Sequence, residues 1–416
     1  MITPRPALAA YRKDVAHLGH GTPLTSELDE RLSRWLAFAI MLERLAVSWN
    51  AAGPLDVSRA LEPMLREFAG APTAGPITPW PHSSRPLELR AVSELTRRVA
   101  DEVEQGGALW LAYSMLGTLE RIGGDLSDLE AGRILAQRAR VARKADATEI
   151  AEALYKRVGK LGRTADEPEL TARAAIGFGV LAQMRGNLPS AARHFEKAAR
   201  VASRAQNPEL VGVAQHGRMT IAASRGAFAD ALKHGWAAFS AAAGDREREA
   251  EMLLNLAQLA FDTGHPRAAL QGFTAALHRR PGPRLMLPAL GGTARAAAAL
   301  GRADVISWCA ARLNEATRAG GFAYPKASAL LDLALALAGT VPAQAMAIVQ
   351  RALSLTGRFN FHELEHHLRI LEAELELRQA TPRAATPTAI TVGARGEEIL
   401  RQIEQLDGML MEVGAG

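Results

Sequence analysis

Cysteine occurs once in 416 residues, at Cys309, so the chain can form neither an internal disulfide nor a thiolate metal cage. That usage fits a reducing compartment, and a soluble cytoplasmic protein is the expectation. Aromatic residues make up only 5% of the chain, and β-branched and aromatic residues rarely alternate at period two, which argues against sheet. Long hydrophobic runs are missing as well. The most apolar stretch, residues 327–339, is too short to span a bilayer and carries Asp332, and Pro and charged residues interrupt the first twenty residues before any apolar core of signal-peptide length. Catalytic signatures are equally scarce. Gly291-Gly292 and Gly123-Gly124, expected at helix turns, lack the Lys and Ser/Thr of a phosphate loop. No Ser-centred elbow, paired-carboxylate pattern or dinucleotide fingerprint occurs, and Cys309 beside Trp308 reads as a packed thiol. An enzyme is not expected, nor is a cofactor.

What the chain has in abundance is Ala, Leu and Arg, all good helix formers. They are organised by an internal repeat. The segments at 174–202 and 252–281 share one plan: an apolar helix, a Gly turn, and a second helix with a small residue five after the Gly and a Phe four further on. The small-residue anchors are Ala151, Ala191, Ala231, Ala269, Ile306 and Ala345, spaced 40, 40, 38, 37 and 39 residues apart. Gly186, Gly226, Gly264 and Gly301 hold the matching turns, with Asp146 in the first unit and a slightly displaced Gly339 in the last. A small residue at each crossing lets two helices approach, and Gly accepts the positive φ that ends a helix.

This pattern resembles the tetratricopeptide repeat family over residues 129–357. The resemblance rests on Leu256, Ala257, Ala260, Gly264, Ala269, Phe273, Ala276 and Pro281 in one unit, and on Gly179, Ala182, Gly186, Ala191, Phe195 and Ala198 in another. The present units exceed the family's repeat of about 34 residues, which longer helices would accommodate, and Gly235 and Ala310 stand where an aromatic is usual. The resemblance implies an all-α fold: a right-handed α-solenoid of about six such helix pairs whose first helices line an inner surface. The expected organisation is an N-terminal helical region at 1–69 and a Pro-rich linker at 70–86. The solenoid with its capping helix then occupies 87–379, followed by a flexible linker at 380–394 and an amphipathic tail helix at 395–416.

The net charge of +5 is unevenly placed: residues 131–163 hold nine basic residues against three acids. With first helices facing inward, as the resemblance implies, Arg133, Arg140, Arg143 and Lys144 converge with Arg173 and Gln183 at one end of a groove. His216, Thr220, Glu251, Gln258 and Asp262 follow in the middle, and Leu330, Ala334 and Leu337 make an apolar far end. The expected partner is therefore a protein or peptide with an acidic, amphipathic segment, since Arg suits carboxylate and phosphate recognition. The alternative is a solvated basic face in an Arg-rich chain. Nucleic acid is disfavoured because the patch lacks interleaved stacking aromatics and no helix-turn-helix is visible.

Two further features stand out. The segment HELEHH at 362–367 fits H-E-x-x-H, the pattern of a zinc-dependent hydrolase with His362 and His366 as ligands. Against that reading, Leu364, Leu368, Leu371 and Leu375 form the packed stripe of the same helix, which turns the His pair toward water, and Glu365 intrudes between the motif's Glu and its second His. The second feature is the seam of Ile399, Ile403, Leu406 and Leu410 in the tail, which could dock on the array or pair with another copy.

Overall fold

The computed structural model describes residues 6–19, 26–51, 85–122, 124, 126–317, 322–359 and 361–380. Residues 52–69 of the expected N-terminal helical region, most of the Pro-rich connector, the 380–394 linker beyond Ala380 and the tail seam of Ile399, Ile403, Leu406 and Leu410 lie outside the described residues. Those described form seventeen helices and no strand. No helix among them is long and apolar enough to cross a membrane. Two compact units divide the chain, Met1–Ala214 and Gln215–Gly416. The division falls inside a helix, not at a linker.

Unit 1 opens with α1 (Pro6–Gly19), α2 (Ser26–Ala51), α3 (Arg85–Gln105) and α4 (Leu109–Ile122). Sequence reading gave α1 no boundary of its own, and its place is set by a tertiary contact. Buried Asp14 accepts hydrogen bonds from the Trp110 and Leu111 amides at 3.1 and 2.7 Å, capping the free N–H groups at the start of α4 from a distant part of the chain. Burial pushes its carboxyl up to about 6 despite those bonds. Leu32, Phe38 and Leu42 of α2 share one core with Leu89, Leu111, Leu116 and Ile134, so the N-terminal helices pack directly on the helices after the connector.

The repeat follows: α5 (Asp128–Lys144), α6 (Thr148–Thr164), α7 (Pro168–Met184), α8 (Leu188–Arg204) and α9 (Pro208–Ser224), each 17 residues with three-residue links. That length explains the 40-residue period, since a pair is two helices and two links. A left-handed residue closes these helices, at Asp146, Asp166, Gly186, Gln206 and Gly226 in turn. Unit 2 continues with α10 (Phe228–Ala241), α11 (Arg246–Asp262), α12 (Pro266–His278), α13 (Pro283–Ala299), α14 (Ala303–Ala316), α15 (Ala323–Leu337), α16 (Pro342–Phe359) and α17 (His362–Ala380). Gly264 and Gly301 again carry the positive φ at the turns within a pair.

The aromatics fill the space between helices by meeting glycines. A Cβ built on Gly177 would lie 2.3 Å from the Tyr155 ring, and one on Gly292 would lie 2.4 Å from Phe273. Gly291 and Gly292 are therefore interior residues of α13, not turn residues as the sequence suggested; they are small because neighbouring atoms occupy their side-chain space. At Gly235, where the aromatic is absent, Leu256 and Met219 occupy its volume. The rule conserved along the chain is filled volume, with the bulky partner on either helix.

Candidate functional site: a polar ladder along the first helices

Successive first helices are cross-linked by charged and polar side chains spaced one repeat apart. In unit 1, Glu169 of α7 receives Arg133 of α5 in bidentate fashion at 2.7 and 2.6 Å and its own neighbour Arg173 at 2.8 Å. The Arg133 hydrogen bonds hold its carboxyl down at about 2, against the opposing effect of burial. One repeat earlier, Glu104 of α3 has a side chain only 3% exposed and takes Arg140 at 2.8 Å and Lys144 at 2.7 Å. Burial alone would raise its pKa, but the two cations outweigh it and the net shift is downward. Arg140 also pairs with Asp101. Gln137 ties the helices further, donating to the Arg97 carbonyl at 2.9 Å and to Asp101 at 3.0 Å and accepting from Arg97 Nε at 3.2 Å.

Arg133 and Arg173 occupy matching places, sixth in α5 and α7 and 40 residues apart, and Arg97 of α3 lies within their electrostatic reach, 36 residues before Arg133. The pKa of Arg97 is lowered, first by burial and then by repulsion from Arg173 and Arg133, which prevail over the attraction of Asp101 and Glu169. Burial is the larger cause, and a local excess of positive charge adds to it. Arg143, grouped with the other cations by the sequence, instead acts on the Tyr155 hydroxyl of α6, opposing the rise in its pKa that burial causes.

Unit 2 builds the same ladder with different chemistry. Glu251, sixth in α11, meets Arg284, second in α13, at 3.3 Å. This is the rung that Arg133 and Glu169 make in unit 1, with the charges exchanged. His216 lies 3.0 Å from Asn255, and burial lowers its pKa although Glu251 works in the other direction. Gln258 donates to Asp262 at 2.8 Å, while Thr220 spends its hydroxyl on the Gly217 carbonyl. Arg295 of α13 lies over the Phe261 ring and donates to Asp332 of α15 at 3.1 Å. Burial raises the Asp332 carboxyl to about 6, with Arg295 opposing and Asp262 reinforcing the shift.

The remaining expected site residues separate. Gln183 is half-buried on α7. Leu330, Ala334 and Leu337, expected as an apolar groove end, are core residues of unit 2, while Leu335 and Tyr324 of the same helix are exposed. His362 and His366 are exposed on α17, and Leu364, Leu368, Leu371 and Leu375 face inward. Among the described residues no group of three or more His, Cys, Asp or Glu side chains could hold a metal ion. Cys309 is buried, which pushes its thiol up to about 12. Sequence reasoning missed Arg97, Asp101, Glu104 and Gln137. The repeat register could not have found Arg97, because forty residues before Arg133 stands Ser93.

These features define an all-α protein built of tetratricopeptide-like helix pairs. No family model and no curated protein matches the chain. Among solved structures it is similar to the TPR2AB domain of yeast Sti1 in complex with pHSP90, at 13% identity and TM-score 0.27, covering 69% of this chain and 99% of that one. It is also similar to the TPR domain of P58(IPK), at 13% identity and TM-score 0.25, covering 86% and 100%. At those TM-scores neither likeness carries an argument, and the repeat plan rests on this chain's own helix pairs.

Proposed function

We propose that the chain is a protein-interaction scaffold in which the first-helix face of unit 1 holds an acidic segment of a partner protein. The observation that carries this reading is the grouping of Arg97, Arg133 and Arg173, three guanidinium groups on the first helices α3, α5 and α7, where Arg173 and Arg133 add to burial in lowering the pKa of Arg97. A peptide carboxylate placed there relieves that repulsion and meets planar donors suited to it. Unit 2, where Glu251 replaces Arg at the matching rung, would select a different part of the partner. The apolar anchor expected from Leu330, Ala334 and Leu337 has no place in this reading, because those side chains are core.

The test is fluorescence polarisation with labelled Glu- and Asp-rich peptides chosen from an array. The Arg133→Gln, Arg173→Gln double variant is expected to weaken binding about tenfold or more through loss of charge-assisted hydrogen bonds. Unchanged affinity in a variant that keeps its helical circular dichroism, or equal binding of neutral peptides, would refute the reading.

A further inference from the structure

The second helices of unit 1 carry a separate concentration of charge. On α8, Arg193, Lys197, Arg200 and Arg204 are all exposed. Their spacing of four, three and four residues sets them within about 60° of one another on the helix, in a row about 16 Å long. On α6, Lys160 lies forty residues before Arg200 and so takes the equivalent place one repeat earlier, and Arg163 is exposed one turn further on. None of these six cations makes an ion pair or side-chain hydrogen bond with the described residues, whereas Arg133, Arg140, Lys144 and Arg173 of the first helices all do. Nearby acids are Glu196, exposed at the edge of the row, Asp166 and Glu167 in the link just after Arg163, Glu149 at the start of α6, and Glu152, which is already held by Lys156 and Arg185. The field of the row is felt by half-buried His194, whose pKa is lowered by burial and then by Lys197 and Arg193.

The buried side of α8 is Ala191, Phe195, Ala198, Ala199 and Ala202, which leaves the exposed row without an aromatic or large aliphatic side chain. A peptide would find no apolar anchor there, and a membrane no side chain to enter its interface. A linear series of like charges fits a linear polyanion. We infer that this face docks the phosphate backbone of a single-stranded nucleic acid without reading its bases. The scarcity of aromatics excludes stacking, and backbone contact requires none. A strand stacked as in a duplex, at about 3.4 Å of rise per phosphate, lays about five phosphates along the α8 row, and a more extended strand fewer.

The experiment is anisotropy of fluorescein-labelled oligothymidylate against the full chain over a salt series. Six contacts predict a slope of log K on log salt of about −4, from about −0.7 per contact on a single strand. The Arg193→Ala, Lys197→Ala, Arg200→Ala, Arg204→Ala variant, substituted only at exposed positions, is expected to bind at least tenfold more weakly with a slope near −1.4, about −0.7 for each of the two remaining cations. Arg133→Gln, Arg173→Gln is expected to bind the oligonucleotide as the unsubstituted protein does. The inference is overturned by absence of binding at low salt, by unchanged affinity and slope in the α8 variant, by loss in the first-helix variant, or by tighter binding to phosphatidylserine vesicles or polyglutamate than to the oligonucleotide.

Discussion

Glu104→Gln should make the protein less stable and its basic face more attractive to anions at the same time. The side chain is nearly buried and receives Arg140 and Lys144, so Gln preserves volume, opens no cavity and removes one negative charge. Breaking a buried ion pair costs about 3–5 kcal/mol. Here both cations are 42% exposed and can rehydrate, and Arg140 retains Asp101, so a discounted cost of about 2 kcal/mol is expected. For an acidic ligand roughly 10 Å away, loss of the carboxylate contributes about 0.5–1.5 kcal/mol, a two- to tenfold gain in affinity at low salt. The stability effect also has a definite pH window. Because the folded pKa of Glu104 lies below its ordinary 4.5, its contribution is present above about pH 4.5 and is lost as pH falls through the folded value. Urea denaturation at pH 7 and pH 3 and peptide polarisation at two salt concentrations read both effects. Equal stability at pH 7, or weaker peptide binding by the variant, would refute the reasoning.

Gly292→Ala should cost about 1–3 kcal/mol because its Cβ meets fully buried Phe273, whereas Gly226→Ala should cost about 1 kcal/mol from its positive φ alone, with open space around it. Urea midpoints check the order, and a harmless Gly292→Ala would contradict the packing. Gly235→Phe, which restores the usual repeat aromatic, should destabilise by about 1–3 kcal/mol since Leu256 and Met219 already fill that volume; a raised Tm would show otherwise. Asp332, raised in the folded state from an ordinary 3.8 to about 6, contributes stability that is full below about pH 4 and lost as pH rises through 6, up to about 3 kcal/mol. Asp332→Asn should flatten that part of the profile while the similar share from Asp14 persists, and an unchanged profile would refute the assignment.

The legibility of this protein differs sharply between its helices and its site. The 40-residue period, the left-handed turns at Gly186, Gly226, Gly264 and Gly301, and the Phe195 and Phe273 anchors were readable because each expresses a local requirement repeated along the chain. Gly291-Gly292 misled because a glycine that grants positive φ and one that yields space to an aromatic ring are the same letter. The stripe of Leu364, Leu368, Leu371 and Leu375 was read correctly because the helical period fixes which side chains share a face.

The charged residues mark the limit. Sequence reading, with the first helices turned inward as the resemblance implies, expected Arg133, Arg140, Lys144 and Arg173 at one end of a groove. Only the tertiary structure decided that Glu104 and Glu169 hold those four, that Arg97 joins them from α3, and that Lys160, Arg163 and the α8 row make no ion pair with the described residues. It also decided that Leu330, Ala334 and Leu337 belong to the core and that Asp14 caps a helix almost a hundred residues away. The physical reason is range: helix, turn and period are set within a few residues, but the partner of a charge is chosen by packing between helices one repeat or more apart.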